Sequence, residues 1–127
     1  MAGPLSNLKV IELGTLIAGP YCARLLAEFG AEVVKVEAPV IGDPLRKWRK
    51  LHEGNSLWWY AQARNKKSVA IDLKHPEGQA IVRKLAATAD IFVENFRPGT
   101  MEKWGIDRKS TRLNSSHIQK SRMPSSA

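Results

Sequence analysis

Apolar and polar residues follow the periods of a strand, a helix and a second strand along residues 9–37. Residues 9–13 are short and rich in β-branched side chains, which predicts a strand. Residues 21–29 carry apolar side chains at helical spacing, and Gly30 is placed to end that helix. Residues 33–37 predict the next strand. Because parallel neighbours in a sheet need a crossover connection, this order predicts the opening βαβ unit of a parallel α/β sheet.

The later chain repeats this pattern after a loop-rich stretch that contains aromatic and basic residues. Ser56 is placed to cap a short helix within that stretch. The remaining elements that the pattern predicts are a helix over 56–63, a strand over 68–73, a helix over 76–89, a strand over 90–94 and a brief helix over 100–104.

Two strand-to-helix turns, at residues 14–20 and 95–99, are the candidate ligand-binding segments. Open α/β sheets bind ligands at the carboxyl ends of their strands, where both turns are expected. Gly14 and Gly19 would let a ligand approach the backbone, and Pro20 is predicted at the first helical position. The glycine spacing matches neither the dinucleotide fingerprint nor a Walker loop, so a tight turn without a ligand is the alternative. Two such turns beside cations favour a shared site.

The charge distribution and the cysteine content limit the classes of protein to which this chain can belong. The net charge is +8, but residues 1–106 and residues 107–127 each carry an excess of four cations, so half of the charge lies in a short tail. The single cysteine, Cys22, excludes an internal disulfide framework and suggests a reducing, cytoplasmic location. Cys22 lies in the apolar helix pattern without a nearby histidine, which predicts a small buried residue rather than a nucleophile. The chain shows neither a signal peptide nor a long apolar run.

A series of short motifs extends through residues 5–107. They are Ala18-Gly19-Pro20, Gly30-Ala31-Glu32-Val33-Val34-Lys35-Val36-Glu37, Gly42-Asp43-Pro44-Leu45-Arg46, Asn65-Lys66-Lys67-Ser68, Asp72-Leu73-Lys74, Pro76-Glu77-Gly78, and Asp90-Ile91-Phe92-Val93-Glu94-Asn95-Phe96-Arg97-Pro98-Gly99. In this order they resemble the amino-terminal part of the class III coenzyme A transferases, the family of formyl-CoA and carnitine-type CoA-transferases that also includes α-methylacyl-CoA racemases.

The resemblance implies a Rossmann-like parallel sheet with flanking helices, here truncated, and an interlocked homodimer for the full-length protein. It also implies a coenzyme A site on this domain. The contacts would fall on Ile17, Ala18, Ile71, Asp72, Leu73, Lys74, Asn95, Phe96, Arg97 and Lys103. Lys103 stands where the family often has Arg, and Ala38 departs from the Arg that some members place there.

The chemistry of coenzyme A is compatible with these positions. Its adenosine diphosphate end is a polyanion with an aromatic base, which requires backbone N–H groups, mobile cations and an apolar slot. Lys74, Arg97 and Lys103 would face the phosphates, whereas Ile17, Ile71 and Leu73 would line the adenine. For each lysine alone, a solvated surface charge is the alternative.

In transferases of this family an aspartate attacks the acyl-CoA thioester, giving a mixed anhydride and then an enzyme-bound CoA thioester. The resemblance ends before the motif that carries this aspartate, so no catalytic residue and no metal ligand is assigned in this chain. The expected substrates are an acyl-CoA thioester and a carboxylic acid, without a prosthetic group or a membrane, and the chain itself is expected to be inactive. The alternatives are part of an acyl-CoA racemase and, with less support, a basic nucleic-acid-binding module.

The tail, residues 107–127, does not resemble the family. Residues 107–117 read codon for codon as a widely used sequencing-library adapter translated in frame, and residues 121–127 resemble a later part of it in another frame. The predicted organisation is therefore a coenzyme A binding part over 1–106 and an adapter-derived, disordered segment over 107–127. A basic disordered tail and a nucleic-acid-binding arm are the alternatives.

Overall fold

The structure is a computed structural model that describes residues 3–106. Within this range the elements in chain order are β1 (Lys9–Glu12), α1 (Ala18–Glu28), β2 (Glu32–Glu37), a 3₁₀ helix (Pro44–Lys47), β3 (Leu51–His52), β4 (Asn55–Ser56), α2 (Leu57–Gln62), β5 (Lys66–Ala70), α3 (Pro76–Ala87), β6 (Ile91–Val93) and α4 (Thr100–Lys103).

The main sheet has the strand order β5-β2-β1-β6, and every neighbouring pair in it is parallel. Val10 is in register with Val33 of β2 and with Ile91 of β6, while Val33 is in register with Lys66 of β5. The predicted α/β fold with a parallel central sheet and flanking helices is confirmed. No helix in residues 3–106 has the length and apolar character required to cross a membrane.

The two faces of the sheet are covered by different helices, because neighbouring residues of a strand point to opposite faces. Val10 packs with Ala23 and Ala27 of α1, whereas Ile11 packs with Val82 of α3 and Met101 of α4. The valine, isoleucine and methionine side chains among these are at most 4% exposed, and burying one such side chain stabilises the fold by about 1.5–3 kcal/mol.

Helix α1 begins earlier than the pattern predicted. The expected bounds were 21–29, but the helix includes Ala18, and Pro20 is its third residue rather than its first. Proline is tolerated there because the N–H groups of a first helical turn have no intrahelical partner. Gly30 follows the helix with a φ of 106°, a left-handed conformation that ends it as predicted.

Strand β5 also differs, since it covers Lys66–Ala70 instead of 68–73. Its last ladder contact is the Ile71 N–H, which donates to the Glu37 carbonyl at 2.9 Å. The Asp72 carboxylate then accepts the Lys74 N–H at 2.9 Å, and such a side-chain turn replaces the strand pairing. Residues 71–74 therefore form the connection to α3.

Residues 38–64 form a connecting lobe between β2 and β5. Ser56 caps α2 as predicted, because its hydroxyl accepts the Trp58 N–H at 3.1 Å. The 3₁₀ helix and the β3–β4 hairpin were not predicted from the sequence pattern. Trp48 packs edge-to-face against Trp58 at 5.7 Å between ring centroids, and Trp58 remains 42% exposed.

Candidate functional site

The turns that follow β1 and β6 meet at the carboxyl end of the sheet. Asn95 joins them, because its Oδ1 accepts the Thr15 N–H at 2.8 Å and its Nδ2 donates to the Thr15 carbonyl at 2.9 Å. This double hydrogen bond links residues that are 80 positions apart. It exists because β1 and β6 are parallel neighbours, and it confirms the predicted convergence of the two turns.

Gly14 and Gly19 have a role different from the one expected. A Cβ atom on Gly14 would lie 2.6 Å from the Gly19 Cα and 3.0 Å from the Asn95 Oδ1, and a Cβ atom on Gly19 would lie 2.7 Å from the Gly14 Cα. These glycines therefore let the first turn close on itself and on Asn95. The space at their Cα atoms is occupied by the chain and is not open to a ligand.

The first turn ends at the start of α1, where two predicted site residues lie. Ile17 directly precedes the helix and is 37% exposed, and Ala18 is the first helical residue. No side chain caps this helix end within the described range. An uncapped helix start presents backbone N–H groups and the positive end of the helix dipole, which favour an anionic group.

The second turn is also held in place. The Phe96 N–H donates to the Glu94 carboxylate at 2.9 Å, and the Phe96 ring packs edge-to-face against Trp104 at 5.2 Å. Phe96 is half-buried against the core on the α3 side of the sheet, while Arg97 is exposed. The turn therefore presents a fixed aromatic ring next to a solvent-facing guanidinium.

The segment at residues 71–74 lies at the same end of the sheet but beyond β2, about 10 Å from the first turn given the usual strand spacing. Ile71 is only 6% exposed and belongs to the core, and Leu73 is half-buried with its carbonyl accepting the Gln79 Nε2 at 2.8 Å. Asp72 and Lys74 are exposed. The two turns and residues 71–74 therefore follow one another along one end of the sheet and do not form a single cluster.

The three predicted phosphate contacts, Lys74, Arg97 and Lys103, are all exposed. None of them forms an ion pair with a carboxylate within residues 3–106. By contrast, Lys67 and Arg64 are exposed cations with carboxylate partners. The three cations at the edge are therefore available to an anionic ligand without breaking an existing pair.

Beneath the first turn lies a buried network of charges that the sequence interpretation missed. The Lys35 ammonium lies 3.1 Å from the Glu12 carboxylate and 2.7 Å from the Asp43 carboxylate, and it donates to the Gly14 carbonyl at 3.0 Å. Lys35, Glu12 and Asp43 are each at most 2% exposed. We call these residues, together with Lys66, the ionic layer.

Lys66 approaches the ionic layer from the outer strand. Its ammonium lies 2.9 Å from the second Glu12 oxygen and donates to the Pro20 carbonyl at 2.8 Å. Burial lowers the pKa of Lys66, and the Glu12 carboxylate opposes that shift. Burial, followed by the charge of Glu12, raises the pKa of the nearby Cys22 thiol, so the thiolate needed for nucleophilic attack is disfavoured.

Glu37 forms a second buried contact at the end of β2. Its carboxylate accepts two hydrogen bonds from Arg46, at 2.7 and 2.8 Å, one from the Asp43 N–H at 2.8 Å, and one from the Ser68 hydroxyl. Burial alone would raise the pKa of Glu37, but these donors outweigh it and lower the pKa from 4.5 to about 2. The Arg46 guanidinium also stacks on Trp59, 3.9 Å from the ring centroid.

Comparison with known proteins decides the family. The sequence model of CoA-transferase family III matches residues 5–116. The chain belongs to CoA-transferase family III. It is 57% identical over 104 residues to succinyl-CoA–D-citramalate CoA-transferase from Chloroflexus aurantiacus, which covers 81% of this chain and 26% of that protein.

Other members of family III are similar over the same region. Human succinyl-CoA:glutarate CoA-transferase is 41% identical over 104 residues, which is 81% of this chain and 24% of that protein. A crystal structure of a CaiB/BaiF family protein from Brucella suis has a TM-score of 0.80 at 38% identity, covering 88% of this chain and 31% of that one. The chain spans about a quarter of the length of the curated relatives it matches.

The family III chain shows no group of three or more His, Cys, Asp or Glu side chains suited to a metal ion in residues 3–106.

The sequence interpretation missed the ionic layer because charged residues that alternate with valine in a strand usually face solvent. The sequence nevertheless contained a signal for the buried pairing of Glu12 with Lys35. Glu12 follows isoleucine in β1, Lys35 lies between two valines in β2, and these opposite charges are directly in register.

The low pKa of Glu37 predicts a pH-dependent stability for this family III chain. A carboxyl whose pKa is lower in the folded protein stabilises the fold above its unfolded pKa and loses that contribution as pH falls. We expect up to about 3 kcal/mol to be lost between pH 4.5 and about 2. Urea unfolding of the wild type and of Glu37→Gln across this range measures the difference. Parallel curves for the two proteins would contradict the assignment.

Proposed function

We propose that this chain is the coenzyme A binding, amino-terminal part of a family III CoA-transferase, which moves coenzyme A between an acyl-CoA thioester and a carboxylic acid. The observation that carries the proposal is the Asn95–Thr15 junction, which brings two strand-end turns together next to Arg97, a cation with no carboxylate partner in residues 3–106. The relatives from Chloroflexus aurantiacus and Homo sapiens are named as CoA-transferases, which supports this choice over a racemase.

In this proposal the bound nucleotide lies along the carboxyl edge of the sheet. Arg97, Lys103 and Lys74 neutralise the phosphates, since charge-assisted hydrogen bonds to phosphate are about twice as strong as neutral ones. The uncapped start of α1, at Ile17 and Ala18, offers backbone N–H groups. The remaining proposed contacts are Ile71, Asp72, Leu73, Asn95 and Phe96. A row of contacts suits coenzyme A because the ligand is long and extended.

The proposed reaction needs an aspartate that lies outside this chain. That carboxylate attacks the thioester carbonyl, and coenzyme A leaves as thiolate. The thiolate then attacks the aspartyl carbonyl of the resulting anhydride, which releases the donor carboxylate and forms the enzyme-bound thioester. This chain contributes the binding of coenzyme A and no reacting group. We therefore expect the isolated chain to lack transferase turnover.

We also propose that this chain is part of a longer protein that forms an oligomer. Tyr21, Leu25 and Phe29 form a stripe on α1 that is 46%, 36% and 55% exposed, and both outer strands of the main sheet lack an outer neighbour within residues 3–106. Further chain or a second subunit would cover these surfaces. We propose an interlocked cytoplasmic homodimer for the full-length protein. Two relatives named as alpha and beta subunits support an oligomer.

Residues 107–127 lie outside the described residues, and their origin as translated adapter remains part of this proposal. The family match runs to residue 116 and so extends past the predicted boundary. Comparison of the sequencing read with the adapter and with genomic DNA is the direct test. An uninterrupted genomic reading frame through these residues would reject the adapter origin.

Calorimetric titration of the purified chain with coenzyme A tests the binding function. We expect binding by the wild type and about ten- to a hundredfold weaker binding by Arg97→Gln, since a charged phosphate contact is worth about 1.5–3 kcal/mol. Arg64→Gln is the matched control, because Arg64 is an exposed cation that pairs with Glu28 instead. If the wild type is folded but does not bind coenzyme A, the proposal is rejected. Salt-sensitive binding to duplex DNA would favour the nucleic-acid alternative.

A further inference from the structure

Three consecutive residues of the first turn are each tied to a different polar side chain. The Gly14 carbonyl accepts from Lys35 at 3.0 Å, and both backbone groups of Thr15 bond to Asn95. The Leu16 N–H donates to the Asp43 Oδ1 at 3.1 Å. These side chains come from β2, from the 3₁₀ helix region and from the β6 turn, so the turn is clamped from three directions.

Leu16 shows that the clamp determines the backbone conformation. Its φ is 62°, in the left-handed region that leucine rarely adopts. A residue keeps such a conformation only where its surroundings over-determine it. In this conformation the Leu16 N–H donates to Asp43 directly before the chain enters α1 at Ile17.

Asp43 connects the clamp to the rest of the sheet. Its Oδ1 also accepts the Leu45 N–H at 2.9 Å, its Oδ2 lies 2.7 Å from the Lys35 ammonium, and its own N–H donates to Glu37 at 2.8 Å. Asp43 is 2% exposed and Lys35 is 1% exposed. Both oxygens of the Asp43 carboxylate therefore have partners in the protein and are buried, so the carboxylate is not exposed to a ligand.

We propose that Asp43 and Lys35 are positioning residues for the coenzyme A site. Their buried ion pair holds Leu16, and through it the start of α1 at Ile17 and Ala18, in the ligand-binding orientation before the ligand arrives. Preorganisation of this kind improves affinity because the turn is already ordered in the free protein, so binding does not lose further conformational entropy there. The inference rests on the proposed function, since it assigns the purpose of the clamp to the coenzyme A contacts of the first turn.

Asp43→Asn tests the inference with little change of volume. An amide at this position puts an NH₂ group either against the Lys35 ammonium or against the Leu16 and Leu45 N–H groups, so one donor faces another in both orientations. We expect coenzyme A to bind about ten- to a hundredfold more weakly. In hydrogen exchange, the Leu16 amide should become faster while the Val10 amide in the centre of β1 stays protected.

Asp90→Asn is the matched control at the other end of the sheet. The Asp90 carboxylate accepts the Lys9 N–H at 2.9 Å, so the same Asp-to-Asn change removes a negative charge at the amino end of β1, where the remaining amide oxygen can still accept that N–H. Coenzyme A affinity should stay within about twofold of the wild type. An equal loss in both variants, or a uniform rise in exchange at Leu16 and Val10 in Asp43→Asn, would show that Asp43 supports general stability only and would overturn the inference.

Measurements on the wild type keep the inference testable if Asp43→Asn fails to fold. The Thr15 and Leu16 amides should be protected before coenzyme A is added, because both donate to side chains of the free protein. Unprotected amides in the free protein would overturn the inference even if coenzyme A binds. If the wild type has a protected turn but does not bind coenzyme A, both the inference and the proposed function are overturned. If Asp43→Asn binds coenzyme A with normal affinity, the inference alone is overturned.

Discussion

Glu12→Gln is expected to lower the free energy of unfolding by about 3–5 kcal/mol, the usual cost of removing one partner from a buried ion pair. Glu12 is the carboxylate that both ammonium groups share, at 3.1 Å from Lys35 and 2.9 Å from Lys66. Its loss leaves two buried cations facing a neutral amide. Lys35 retains Asp43, but within residues 3–106 the one hydrogen-bond partner left to Lys66 is the Pro20 carbonyl. Urea denaturation at neutral pH measures the change.

The control for this prediction is Glu32→Gln on the neighbouring strand. Glu32 pairs with Lys67 at 3.2 Å, but the two side chains are 45% and 72% exposed. An exposed pair of this kind contributes roughly 0–1 kcal/mol. Comparable losses in Glu12→Gln and Glu32→Gln would mean that the ionic layer does not have the low-dielectric character that its burial indicates.

Gly14→Ala should have the second large effect, and it should act on both stability and ligand binding. The new methyl carbon would lie 2.6 Å from the Gly19 Cα, far inside the normal carbon contact of about 3.5–4.0 Å, so the start of α1 has to move away from β1. Overpacking costs about 1–3 kcal/mol, and strained Asn95–Thr15 hydrogen bonds cost about 1 kcal/mol each. We expect a loss of about 3 kcal/mol in unfolding free energy and no measurable coenzyme A binding by calorimetry.

Gly54→Ala separates this steric effect from the general cost of replacing a glycine. Gly54 has a φ of 79°, so alanine is strained there by about 1 kcal/mol, but the nearest atom to a new Cβ is the Lys47 Nζ at 3.9 Å. This variant should be slightly less stable and should bind coenzyme A normally. Normal binding by Gly14→Ala as well would show that closure of the first turn is not required by the ligand.

Local features of this chain were predictable because they depend on neighbours in sequence. The apolar periods placed β1, β2, α1 and α3 within a few residues of their observed bounds, and Ser56 and Gly30 were correctly assigned as the cap of α2 and the end of α1. One error occurred where a side chain competes with the backbone. Asp72 ended β5 early by accepting the Lys74 N–H, which no period of apolar residues reveals.

The sequence by itself therefore determined the parallel α/β class, most helices and strands, the convergence of two strand-end turns and, through its motifs, the family. The tertiary structure alone decided that Lys35, Glu12, Asp43 and Lys66 form a buried ionic layer, and that Gly14 and Gly19 pack against each other instead of admitting a ligand. The physical reason is the separation in sequence over which each kind of interaction acts. Periodicity and capping act between residues a few positions apart, whereas a charge is buried or exposed according to which strands become neighbours and in which register.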